Sequence, residues 1–225
     1  VTGWLYWGNW AMTLVADGTA VAIYIKWFSQ YTTWLDSVPQ WTLALVVICS
    51  ILVFNMLSVK IFGELEYWFS LIKIVALIIF MLVAIGVLIF GHPSGDPTGF
   101  SLISSTGGWL PNGLLPAVIV IQGVVSPFVT FFESLGVGVA APIFQLVVIT
   151  AAISSLNAGL YSTGRIMYNM STSGSGPKFG ARMSKSGVPY GGIVMAALVG
   201  LAGVFLNYVV PEMAFEIVLN LAALG

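Results

Sequence analysis

Charge is what this chain has least of. Seven lysines and arginines and eight aspartates and glutamates are scattered through 225 residues, and the net charge is −1. That balance gives no support for nucleic acid as a partner, because a polyphosphate backbone needs a concentrated positive surface. One cysteine, Cys49, sits within an apolar run; alone it excludes an internal disulfide and supplies no metal cluster. The single histidine, His92, stands in a Gly/Pro loop, where a solvated side chain is the ordinary outcome. HExxH, GxSxG, P-loop and CxxC patterns are all missing. Enzyme chemistry therefore has no residues to stand on, and neither a cofactor nor a metal is expected. No signal peptide opens the chain. It starts at Val1 inside a helical pattern and stops at Gly225 partway into another, so a fragment is expected.

What the chain has instead is apolar surface. Hydrophobic residues make up 59% of it, and the mean hydropathy is +1.02. A soluble domain of this size could not hide so much. The apolar runs are continuous rather than short alternations, which implies helices: an all-α, polytopic membrane protein. Spans are expected at 4–25, 40–57, 69–90, 139–163 and 188–210, with a truncated one from Glu212 onward. The run at 114–125, LLPAVIVIQGVV, is different. Twelve residues give about 18 Å of helix, too short for a hydrocarbon core of about 30 Å. Together with Pro116 and Gly123 it reads as half of an interrupted helix. About six crossings plus a half-helix result.

The few charges orient these spans. The stretch at 59–77, VKIFGELEYWFSLIKIVAL, holds Lys60, Glu64, Glu66 and Lys73 between two apolar runs and reads as a water-facing turn. Tyr67, Trp68 and Phe69 resemble an aromatic belt at headgroup level. Lys73 then lies about 6 Å deeper, either snorkelling back to the headgroups or held as a buried, titratable ammonium. Arg165, Lys178, Arg182 and Lys185 crowd the stretch after Thr163, which includes a Gly/Ser-rich basic loop at 171–187. The positive-inside rule puts both groups in the cytoplasm and leaves Lys26 outside. An odd number of crossings must then separate Gly113 from Arg165. The 139–163 span supplies it, so the twelve-residue piece either turns back or belongs to a crossing whose remainder is missing.

Polar residues inside the spans are the functional candidates. Asn9, Thr13, Asp17, Ala20 and Tyr24 fall on one helix face. A carboxylate on that face avoids lipid, either as a structural hydrogen-bonding group or as a partner for a substrate ammonium or a proton. Ser154, Ser155, Asn157 and Gly159 form a second polar, small-residue cluster, suited to close helix packing or to lining a substrate or ion path. Glu64 and Glu66 are two residues apart, do not share a helix face, and make a poor acid–base pair.

These residues carry a family resemblance. The strings GWLYWGNWAMTLVADGTAVAIYI, NMLSVKIFGELEYWFSLIKI, GLLPAVIVIQGVV, SPFVTFFESLGV, ITAAISSLNAGLYSTGRIM and VFLNYVVPEMAFEIVLN resemble amino-acid permeases of the amino acid–polyamine–organocation superfamily. Within that branch they are most similar to bacterial L-asparagine permeases. The resemblance implies a partial leucine-transporter-like, inverted-repeat fold in the bacterial inner membrane, and proton-coupled uptake of an amino acid. L-asparagine is implied first, with GABA or an aromatic or basic amino acid as alternatives. It also implies one incomplete permease domain over 1–225, from the family's third helix into its tenth. On that mapping Asp17, with Thr13, lies on the substrate-facing side of the third helix. Lys73 occupies the position of a sodium site on the fifth and exchanges a proton. Ser154, Ser155, Asn157 and Gly159 lie on the eighth, near ligand and cation position; Ser154 goes with Lys73, the other three with the substrate. The family's first two helices are lacking. Between Val125 and Ser126 so are half of the sixth helix and all of the seventh, so this chain alone is expected not to transport. A non-transporting remnant or helical partner is the competing class.

Overall fold

The computed structural model describes residues 2–57, 59–91, 95, 127–137 and 139–223. The twelve-residue run, most of the preceding Gly/Pro loop with His92, and the Val125–Ser126 junction lie outside them. Among the described residues every regular element is helical: α1 (Thr2–Lys26), α2 (Thr33–Asp36), α3 (Gln40–Leu57), α4 (Val59–Phe90), α5 (Pro127–Ser134), α6 (Ala140–Thr172), α7 (Tyr190–Val209) and α8 (Ala214–Ala223), with 3₁₀ turns at Trp27–Gln30 and Lys178–Ala181. Four of these helices are long and apolar enough to cross a membrane, and α3 is a shorter apolar one. This is the architecture of a partial polytopic membrane transporter.

Helix boundaries follow from proline and glycine. Pro39, Pro127, Pro142, Pro189 and Pro211 each lie just ahead of a helix or in its first turn, where a missing N–H costs nothing. At the other end, Gly91, Gly136 and Gly174 take positive φ after α4, α5 and α6. Their amides, or the next one, return to the last turn, as in Ser175 N–H to Met170 O at 2.8 Å. The charged stretch corrects the sequence reading: α3 ends at Leu57 and α4 already begins at Val59, so Lys60 to Trp68 is helix rather than turn.

The chain divides into two compact units, Val1–Ser70 with Ile149–Gly225, and Leu71–Val148. In the first, α1, α3, α6 and α7 share an aliphatic core that includes Leu14, Val21, Ile51, Leu156, Leu160 and Ile193. Small residues set how closely they pack. A Cβ on Gly203 of α7 would strike Val15 of α1, and one on Gly192 would strike the carbonyl oxygen of Gly164 in α6. Near the start of α7 no side chain separates it from α6, the small-residue packing that lipid-embedded helices use. Polar clamps fix the two ends. Asn207 of α7 donates to Thr19 of α1 (2.8 Å) and accepts from Gln40 of α3 (2.7 Å). The Trp4 indole at the start of α1 donates to Ser175 O in the basic loop (3.0 Å). The start of α1 and the basic loop therefore share one side, as the charges require. At the far end of α1, the Lys26 ammonium donates to the carbonyls of Leu35, Asp36 and Val38 at 3.1, 2.7 and 2.8 Å. In the second unit Ala76, Phe132 and Phe144 form the buried centre, with Phe80, Phe128 and Phe131 around it. Phe132 and Phe144 stack at 4.2 Å between centroids.

Candidate functional site

One turn of α6 gathers most of the polar groups. At about 100° per residue, Ser154, Ser155 and Asn157 point to three sides of the helix, and each meets a different neighbour. The Ser154 hydroxyl donates to Glu66 Oε1 of α4 at 2.6 Å. The Ser155 hydroxyl donates to Asp17 Oδ2 of α1, also at 2.6 Å. Asn157 Oδ1 accepts from Asn55 Nδ2 of α3 at 2.9 Å, and the same Asn55 amide also donates to Ile51 O at 3.0 Å. The two serine bonds have the short length typical of a hydroxyl on a carboxylate.

The surroundings differ from bond to bond. Ser154 and Asn157 are fully buried, at 0% and 1% exposure. Ser155 is exposed and Asp17 is half-buried, so this carboxylate can be approached from outside the bundle while one oxygen is already engaged. Asn55 is 2% exposed. Three atoms at this level have no hydrogen-bond partner among the described residues: Glu66 Oε2, Asn55 Oδ1 and Asn157 Nδ2.

Thr13 returns its hydroxyl to Asn9 O at 3.0 Å, one turn back on its own helix. Gly159 faces Leu14 and Trp10 of α1; a Cβ there would sit 3.2 Å from Leu14 Cδ2. Its carbonyl accepts from Thr163 Oγ1 at 2.6 Å. Lys73 is half-buried on α4, in the other compact unit. The structure thus brings Asp17 to Ser155. The sequence reading missed Glu66, because it weighed that residue only against Glu64 on the same helix. The available signal was the seven-residue spacing to Lys73, which puts both on one face of α4. Asn55 was missed too, as a lone amide at the end of an apolar run. The interior gap among Leu14, Ile48, Leu156 and Ala196 is lined by aliphatic side chains and offers a zwitterion no polar partner.

An apolar multi-helix bundle that pairs acids and amides across its helices is matched by a known family. The model of the amino acid permease family matches residues 1–125 and again 120–225. The chain belongs to the amino acid permease family. The chain is 42% identical to L-asparagine permease 2 of Mycobacterium bovis, with all of the chain and 58% of that relative covered. It is 41% identical to the L-asparagine permeases of Streptomyces coelicolor and Escherichia coli, covering 57% and 56% of them. The chain therefore spans just over half the length of these relatives. Each alignment runs over 284 positions against the chain's 225 residues, so the relatives carry internal residues that it does not. It is a multi-pass membrane protein, and its relatives are transporters rather than enzymes.

Proposed function

We propose that this chain is part of a proton-coupled importer of L-asparagine in the bacterial inner membrane. The observation that carries this reading is the 41–42% identity, over the whole chain, to proteins named L-asparagine permease. The Asp17–Ser155 pair supports it. An accessible carboxylate beside a hydroxyl in an apolar bundle attracts the ammonium of an amino acid, and a polar side-chain amide can share the hydroxyl. Substrate would bind near Asp17, Ser155 and Asn157, with Thr13 and Gly159 shaping the same region. Lys73 and Ser154 would serve the proton step, with Lys73 cycling between ammonium and amine as the bundle opens first to one side and then to the other. We put the missing part of the family domain at Val125–Ser126; that two separate family matches, 1–125 and 120–225, cover the chain supports a break in this region. A 225-residue chain without that part does not transport by itself.

Labelled asparagine uptake tests this. The natural protein, read across the Val125–Ser126 junction, is reconstituted into liposomes with an inward proton gradient, beside the 225-residue chain. Accumulation by the natural protein that a protonophore collapses is expected, along with none by the shorter chain. Uptake indifferent to the gradient sinks the coupling; stronger competition by GABA, phenylalanine or lysine than by asparagine reassigns the substrate. The internal shortfall, 225 residues against 284 aligned positions, favours one second reading, a non-transporting remnant. It holds if the natural gene has no residues at the junction.

A further inference from the structure

Glu66 sits where an acid has most to do and the transport reading gives it nothing. It is bonded to Ser154, three residues from Asn157, which is bonded to Asn55. Asn55 lies two residues before α3 ends at Leu57, the cytoplasmic end by the charge rule. Glu66 therefore stands toward the inner mouth of the bundle. The three atoms without partners there, Glu66 Oε2, Asn55 Oδ1 and Asn157 Nδ2, are two acceptors and one donor. A water molecule has two hydrogens to give and a lone pair to receive with, the complement of two acceptors and one donor. A sodium ion does not, because the Asn157 amide hydrogens would face it.

We propose that Glu66 is a second proton-carrying group of the transport cycle, exchanging its proton with the cytoplasm through a water held by Asn55 and Asn157. In the releasing step the carboxyl O–H breaks, the proton passes to the water and on to the cytoplasm, and the carboxylate keeps the Ser154 hydrogen bond. Loading is the reverse. The groups around it fit the role. Lys73 lies two turns further along the same face of α4. On α6, Tyr161 and Arg165 continue the Ser154–Asn157 face inward, with Arg165 donating to the Tyr161 hydroxyl at 3.1 Å. Asp17 of α1 lies across Ser155, and α3 carries no acid or base except Cys49, which is exposed. Lys60 and Glu64 fall on other sides of α4.

The proposal rests on the importer reading, and the test separates the two. In the natural protein in liposomes, Glu66→Gln is expected to keep asparagine exchange across the membrane at equal pH. Under a one-unit gradient, accumulation is expected to fall from about tenfold to none, one unit being worth about 1.36 kcal/mol. Infrared difference spectra provide a readout without substrate: a carboxylic C=O band that grows as pH falls should disappear in Glu66→Gln. Wild-type protein that shows the band but does not move asparagine refutes the importer and leaves Glu66 as a proton carrier. Gradient-driven accumulation that survives in Glu66→Gln, or an unchanged band, overturns the proposal. If the glutamine variant does not fold, Glu66→Asp decides. A displaced pH profile with exchange intact supports proton carriage; an unchanged profile, or equal loss of exchange and accumulation, overturns it.

Discussion

Gly192 gives the sharpest test of how α6 and α7 are held. A Cβ added there meets the carbonyl oxygen of Gly164, and its carbonyl carbon at 2.9 Å. Both are backbone atoms, so no rotamer change relieves the clash. The helices would have to part by about 1 Å to reach ordinary van der Waals separation. Ile193 beside them is fully buried and belongs to the core of the first unit, so parting them also loosens its contacts. Overpacking of this kind costs about 1–3 kcal/mol, and rigid backbone on both sides puts it at the upper end. Alanine's better helix propensity returns at most about 1 kcal/mol, leaving a net loss of about 2. At roughly 2–4 °C per kcal/mol for a chain of this length, Gly192→Ala should melt about 4–8 °C lower in detergent. Gly86→Ala on α4 is the control, since nothing lies within 4 Å of its Cβ position. It should melt at, or about 2–4 °C above, the parent temperature. A Gly192→Ala protein as stable as its parent, or an equal loss in Gly86→Ala, would refute the backbone-contact account.

Two further outcomes follow from single contacts. Lys26→Met removes the ammonium that holds three carbonyls around α2. Charged hydrogen bonds are worth about 1.5–3 kcal/mol, and the loss should appear as faster hydrogen exchange at residues 33–38 with the core amides unchanged. Phe132→Ala empties the centre of the phenylalanine cluster and should cost about 3–5 kcal/mol in chemical denaturation, whereas Phe90→Ala, on an 88% exposed side chain, should cost little.

The spans were legible because lipid selects for length and apolarity, and both can be read from composition. The 40–57 span agrees with α3 at both ends, since Pro39 opens it and polarity returns after Leu57. The start of α4 was not legible in the same way. Lys60, Glu64 and Glu66 lower the hydropathy, but nothing in the stretch breaks a helix apart from a tolerated Gly63, so the helix begins ten residues before the apolar run. Asp17 was legible as a carboxylate on a polar face. Its partner was not, because partners depend on which helix stands beside which, and apolar helices carry little one-sidedness to announce their neighbours. The same limit explains Glu66. Its meaning comes from Ser154, 88 residues away in the chain.

The single turn of α6 that engages α1, α3 and α4 has a mechanical consequence. If that helix spins or slides by even half a turn, all three bonds go out of register together, since their donors and acceptors are fixed at angles around one axle. Motion there can proceed only by exchanging the whole set at once, like a latch with three bolts on one shaft. Any partial rearrangement strands an acid or an amide in a greasy setting.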